Sequence, residues 1–249
     1  MKKMLAKEKW QGALYSLAIV IVLWAVVSWL LRLPIVPSPY AVAVNIGAVF
    51  HSKMEIHVLY SLARILEGIL IAVLIGVPVG FLMGYCERIN QFLSPLVYFT
   101  YPIPKIALLP VIMLLFGLGE ASKLIMIVLI VIFQIIITSR DAVKGIPQEI
   151  FRSLQSLGAN QRQVFTEIII PAALSDVLTS IRLALGTAVS ILFFTETFGT
   201  EYGMGYFIMD SWMRVNYLDM YAGIVVLSFM GFFLFAAIDI IENYTSSWR

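Results

Sequence analysis

Charge, cysteine and histidine are all scarce in this chain. Only 13% of its 249 residues are charged, about half the roughly 25% of a soluble domain, so water is not its only solvent. The single cysteine, Cys86, excludes an intramolecular disulfide framework and any cysteine-cluster metal site. The two histidines, His51 and His57, would point to different faces of a helix. No His-Glu-x-x-His and no Gly-x-Ser-x-Gly occurs, which argues against a membrane-embedded zinc or serine hydrolase. The Gly-x4-Gly-Lys-Ser/Thr phosphate cradle is missing too, so any ATP-driven step needs a separate subunit. A net charge of +2, with no basic block beyond the N-terminus, gives no reason to expect a nucleic-acid partner. The expectation is a chain with no catalytic residue, no metal and no cofactor of its own.

What is abundant is apolar sequence: 61% hydrophobic, with a mean hydropathy of +0.93. A spanning helix needs about 20 mostly apolar residues, and six segments qualify. They are Gly12–Leu31, Ser61–Tyr85, Phe92–Phe116, Ala121–Ser139, Val177–Thr195 and Met220–Ile238. The first follows Lys2, Lys3, Lys7 and Lys9 and is too long for the apolar region of a signal peptide, so it reads as a retained span. The fold class expected is all-α, a polytopic membrane protein. Placing the N-terminus inside puts most cations in cytoplasmic segments, among them Arg88, Arg140, Lys144, Arg152 and Arg162; only Arg32, Lys53, Lys123 and Arg214, with Arg64 at the start of the second span, fall outside. That bias predicts N-in, C-in.

Two spans carry unusual features. The second shows Gly68, Ala72, Gly76, Gly80 and Gly84, each four residues apart, a ridge without bulk that lets another helix approach closely. Either a helix of the same chain or a pathway or second subunit could use it, and Pro78 within it predicts a kink. The third is broken by Pro102 and Pro104, beside Lys105. Ionisable groups within the membrane are costly and default to functional candidates. Lys105, with Pro102 and Pro104, is the candidate for attracting an anion, against the alternative that it snorkels or pairs with an acid. Glu196 is a pathway candidate with a gate or packing role as the alternative, and Arg182 reads as an interface or headgroup residue.

From Arg140 the chain turns polar until Pro171, and such a stretch must lie outside the lipid. Pro147 suits the first turn of a helix and Glu149 its positive end. Ile150, Phe151, Leu154 and Leu157 then share a face, and Gly158 fits a left-handed stop. Asn160 with Gln163 has the form of a capping box for a second short helix, which Pro171 is expected to limit. This helix–Gly–helix unit could cap the bundle, lie on headgroups, or dock into a groove on another protein.

Here the sequence resembles the coupling-loop signature of binding-protein-dependent ABC importer permeases: Glu-Ala-Ala, three residues, Gly, nine residues, Ile, one residue, Leu-Pro. Gly158 is followed after nine residues by Ile168-Ile169-Ile170-Pro171, so the Gly–Pro spacing fits. The front departs, since Arg152-Ser153-Leu154 stands where Glu-Ala-Ala would be. Further stretches resemble the nitrate, sulfonate, taurine and bicarbonate branch: Val36–Pro39, Ser61–Arg64, Tyr101–Pro110, Phe116–Lys123 and Tyr202–Tyr206. The resemblance implies the type I importer permease fold in a bacterial inner membrane. It implies an N-terminal part over 1–56 and a permease core over 57–245, with a coupling loop at 141–175. The partners implied are a second permease copy, two ATPase subunits that carry ATP and Mg, and an extracytoplasmic solute-binding protein. The implied contacts to the ATPase are Glu149, Phe151, Arg152, Ser153, Leu154, Gly158, Ile168 and Pro171, and apolar Phe151 and Leu154 are expected to anchor it. The cargo implied is an aliphatic sulfonate, taurine, nitrate or bicarbonate, with thiamine-precursor or riboflavin-type compounds as the alternative.

Outside, Thr197 to Asp219 is rich in aromatics and glycine, and Phe207–Arg214 is expected to form a short surface helix. Tyr202, Tyr206 and Trp212 are candidates for meeting the binding protein, or for an interfacial aromatic belt. A secondary transporter or channel is the rival class. Many such folds carry paired broken helices in two similar halves, whereas here only the third span is broken.

Overall fold

A computed structural model of the chain describes residues 2–245, and every regular element among them is helical. In chain order these are α1 (Lys2–Leu31), α2 (Pro39–Val49), α3 (Glu55–Tyr85), α4 (Glu87–Thr100), α5 (Leu109–Phe116), α6 (Glu120–Lys144), α7 (Gln148–Ser156), α8 (Gln161–Val164), α9 (Ile170–Glu196), α10 (Met204–Met213) and α11 (Tyr217–Thr245). Among the described residues, four helical runs, against the six spans expected, are long and apolar enough to cross a membrane: Pro39–Tyr85, Glu120–Lys144, Gln161–Glu196 and Tyr217–Glu242. The pair Glu87–Thr100 and Lys105–Phe116 makes a fifth if taken together, bent by 78°. The break expected at Pro102 and Pro104 is therefore real. Prolines remove donors, and the turn instead closes through Ala107 N to Pro104 O at 2.9 Å. The apolar stretch of α1 is Tyr15–Leu31.

The small-residue ridge packs within the chain. A side-chain carbon at Gly68 would lie 2.6 Å from Ile127, one at Gly80 2.6 Å from the Ile136 carbonyl, and one at Gly84 2.6 Å from Val143. The pairing advances the same way along both helices, so α3 and α6 are parallel and nearly touch backbone to backbone. Pro78 sits inside α3 without ending it. Around this pair, Ile65, Met126, Val131, Ile135, Leu185 and Leu192 build the main core with α9.

Two helices run further than expected. The segment before the second span is not a bare outer connection. Ser38 caps α2 by accepting from Ala41 N at 3.2 Å, and Pro39 supplies the first turn. A π turn, Phe50–Met54, then carries the helix into α3. The combined run of 47 residues is about 70 Å long, more than twice the roughly 30 Å hydrocarbon core, so its first part lies outside the lipid. There α2 packs Val42 and Met54 against Met204, Phe207 and Ala222.

Pro171 is the second correction. It ends nothing, because it sits in the first turn of α9, where its missing N–H has no partner to lose. The π turn Phe165–Ile169 feeds α8 into it, giving one helical run from Gln161 to Glu196. Arg182, read as an interface or headgroup residue, ties α9 to α11. It pairs with Asp239 at 2.5 Å and with Glu242.

Candidate functional site

The functional residues gather at the two ends of the bundle. At one end, α7 forms as its sequence dictates. Glu149 lies in its first turn, and Gly158 follows it at φ 81°, a left-handed conformation suited to glycine. The Asn160–Gln163 capping box is complete, with bonds of 3.0 and 2.8 Å. The apolar side of α7 is already used. The Phe151 ring lies 6.0 Å from that of Tyr85, tilted by 45°, and Phe151 and Leu154 pack on the cluster of Phe81, Val143, Val164, Ile169 and Val177. Phe151 and Leu154, expected to anchor a partner, are half-buried and fasten α7 to its own bundle. The surface left open holds Glu149, Ile150, Ser153 and Leu157, the last 83% exposed. Arg152 is also exposed, on the flank of the helix. Ile168 is buried in the π turn and half-buried Pro171 begins α9.

At the other end lies a cluster that the sequence did not reveal. Arg64 of α3, only 2% exposed, donates a two-pronged pair of bonds to Glu120 of α6, both 2.6 Å. Its third arm reaches Glu196 of α9 at 2.7 Å and the Tyr202 carbonyl at 2.7 Å. Glu196 is fully buried and also accepts from Ser61 Oγ at 2.8 Å and from Gly205 N at 2.9 Å. Ser61 Oγ in turn accepts from Met204 N at 2.8 Å. Gly203 makes this closeness possible, because at φ 135° it takes a conformation closed to most side chains, and a side chain there would collide with the Glu196 carboxyl. A buried charge is tolerable only when paired and bonded on all sides, and here it is. Three helices and the α9–α10 connection are locked together.

Glu196, offered as a pathway residue, therefore presents no free oxygen to a passing solute. It takes the packing role weighed beside that one. Lys105 is buried, yet meets no carboxylate within 4 Å among the described residues. Its ammonium donates to the Tyr101 carbonyl at 2.9 Å and lies 4.7 Å from the Phe133 ring centre. Pro102 and Pro104 are exposed beside it.

The expected outer surface helix is present as α10, one turn earlier than read, with Phe207 and Ile208 buried beneath it. Tyr202 stacks on Tyr60 at 5.0 Å and Tyr206 on His57 at 5.8 Å, while Trp212 stands exposed. Ser61, Arg64 and Glu120 all lie in stretches that carried the family resemblance, but nothing in one sequence says that residues 56 and 132 positions apart will meet.

A helical bundle crossed by a polar coupling segment matches known proteins at every level. Residues 72–247 match the family described as binding-protein-dependent transport system inner membrane component. The chain belongs to this family. It is the membrane-spanning permease subunit of an ABC importer, a multi-pass inner-membrane protein that transports rather than catalyses. It is 32% identical over 193 residues to the taurine transport system permease protein TauC of Escherichia coli, covering 78% of this chain and 70% of that one. The putative aliphatic sulfonates transport permease protein SsuC of Bacillus subtilis is 28% identical, over 96% of this chain and 88% of its own. The formylaminopyrimidine transport permease protein ThiX of Halalkalibacterium halodurans is 30% identical, over 92% of each. Among solved structures, an inward-facing form of the MetNI methionine ABC transporter superposes with a TM-score of 0.68 at 20% identity, covering 76% of this chain and 94% of that one. That likeness extends to the fold.

Proposed function

We propose that the permease imports a small sulfonate such as taurine, delivered by an extracytoplasmic binding protein and driven by ATPase subunits that grip α7 from the cytoplasm. One observation carries the mechanical part: α7 is bolted to the bundle by Phe151 and Leu154 while Ile150, Ser153 and Leu157 face outward at the foot of the helical run Gln161–Glu196. A run of 36 residues is about 54 Å of rigid rod, and it ends in the Arg64 cluster. Phe151 and Leu154 pack on the cluster that holds Val164 and Ile169 of this run, so a push on α7 is passed to the rod by side-chain contact. ATP and Mg belong to the two ATPase subunits. A second permease copy completes the pathway, with the exposed Pro102–Pro104 break and Lys105 as its polar element. Tyr202, Tyr206 and Trp212 form the surface for the binding protein, held in place by the Arg64 cluster beneath.

The taurine and sulfonate relatives support the sulfonate cargo, while the formylaminopyrimidine relative supports a pyrimidine-type alternative. Both termini are cytoplasmic in this reading. Ser153→Cys in a Cys86→Ser background tests the docking: a short bifunctional reagent should join residue 153 to the ATPase. A chain that co-purifies with its ATPase yet never cross-links from 153 or from Leu157→Cys defeats this placement.

A further inference from the structure

On the flank of α7 a cavity of about 830 Å³ opens between the α3–α4 corner, the end of α6 and α7 itself. Its lining is unusually cationic for this chain: Arg88, Lys144 and Arg152 against one acid, Glu87. Glu87 is taken by Lys144 at 3.6 Å. The side chains of Arg88 and Arg152 have no ionic partner within 4 Å among the described residues, so two guanidinium groups face one cavity uncompensated. Guanidinium forks suit phosphate oxygens.

A second observation says where the phosphate comes from. Arg88 heads a face of α4 that continues through Phe92, Leu96 and Phe99, at helical spacing, and these are 82%, 62% and 80% exposed. Large apolar side chains left bare along α4, ahead of the Pro102–Pro104 break assigned above to the second copy, suit acyl chains. A cation at the top of such a stripe stands at headgroup depth. The cavity mouth and the apolar stripe together have the outline of one phospholipid, with the headgroup phosphate between the arginines and the chains along α4.

We propose that this cavity is a binding site for an anionic phospholipid of the inner leaflet, whose phosphate bridges α4 and α7. The lipid thereby stiffens the joint between bundle and coupling element, so ATPase coupling depends on anionic lipid. The proposal rests on the cytoplasmic placement of α7. Neither arginine is needed by the packing just described, since Phe151 and Leu154 fasten α7.

Cys86, the only cysteine, is half-buried in the cavity wall and serves as a built-in reporter. The full chain is placed in nanodiscs of phosphatidylcholine alone or with phosphatidylglycerol, and the rate of Cys86 labelling by a neutral maleimide is measured. Phosphatidylglycerol should slow labelling. Each surface-level cation is worth roughly fivefold in anionic-lipid affinity, so Arg88→Gln and Arg152→Gln should each raise the phosphatidylglycerol needed for half-protection roughly fivefold, and roughly 30-fold together. Arg162→Gln, equally cytoplasmic but outside the cavity, should leave it unchanged. Equal protection in all variants, equal loss in Arg162→Gln, or full protection by inorganic phosphate in phosphatidylcholine discs would each overturn the lipid site. In sealed vesicles of known orientation, labelling of Cys86 by an impermeant maleimide from the outer side alone would instead overturn the cytoplasmic placement.

Discussion

Removing Arg64 should be the most damaging single change at the end of the bundle opposite α7. Arg64→Met takes away the only cation that Glu196 touches among the described residues, and Glu196 is wholly buried. Breaking a buried pair from one side costs about 3–5 kcal/mol, because the remaining charge is left uncompensated. Glu120 adds little, since its 54% exposed carboxylate can turn to water, and such pairs are worth under about 1 kcal/mol. For a chain of this size each kcal/mol moves the melting temperature by about 2–4 °C, so a fall of about 6–20 °C is expected. Adding Glu196→Gln removes the orphaned charge while an amide oxygen can still accept from Ser61 and Gly205. The double variant should therefore recover at least half of the loss, a coupling of about 2 kcal/mol or more. Melting followed by tryptophan fluorescence in detergent reads both. Arg64→Met melting within about 1 °C of the parent, or strict additivity in the double variant, would refute the picture of a closed charge cluster.

Two further outcomes test the packing. Gly80→Ala places a methyl 2.6 Å from the Ile136 carbonyl and the Ser139 side chain, an overpacking that should cost about 1–3 kcal/mol in melting experiments; Gly47→Ala, with nothing within 4 Å, should not destabilise at all. Phe151→Ser removes half-buried apolar surface from the joint between α7 and Tyr85 and should loosen α7 by about 1–2 kcal/mol, read as faster amide hydrogen exchange over Gln148–Ser156 alone. Unchanged exchange there would mean that the inner face of α7 is not what fastens it.

Much of this architecture was legible because the bilayer imposes strong rules. Length and hydropathy placed four of the six expected spans, and the bent pair Glu87–Thr100 and Lys105–Phe116 stands where a fifth was expected; small residues four apart announced a close helix contact, though not that α6 makes it. The Asn160–Gln163 box and Gly158 were read correctly because capping is local chemistry. Three features were not legible, each for a physical reason. Pro171 looked like a stop, but proline is equally at home in a first turn, and a π turn absorbs the misfit. Phe151 and Leu154 have the right spacing for an apolar face, yet spacing cannot say whether that face meets a partner or the chain's own bundle. Arg64 looked like one more outer cation, because its partners come from α6 and α9. Periodicity reports which side of a helix is apolar, and only the assembled bundle reports what meets it.

The proposed function requires force to arrive through α7 from an external ATPase. Uptake of radiolabelled taurine into proteoliposomes measures this directly. With the permease, its ATPase, its binding protein and ATP all present, taurine should accumulate, and omitting any of the four, or adding Ile150→Asp with Leu157→Asp, should abolish accumulation. Taurine concentrated by the permease alone under an ion gradient would contradict it.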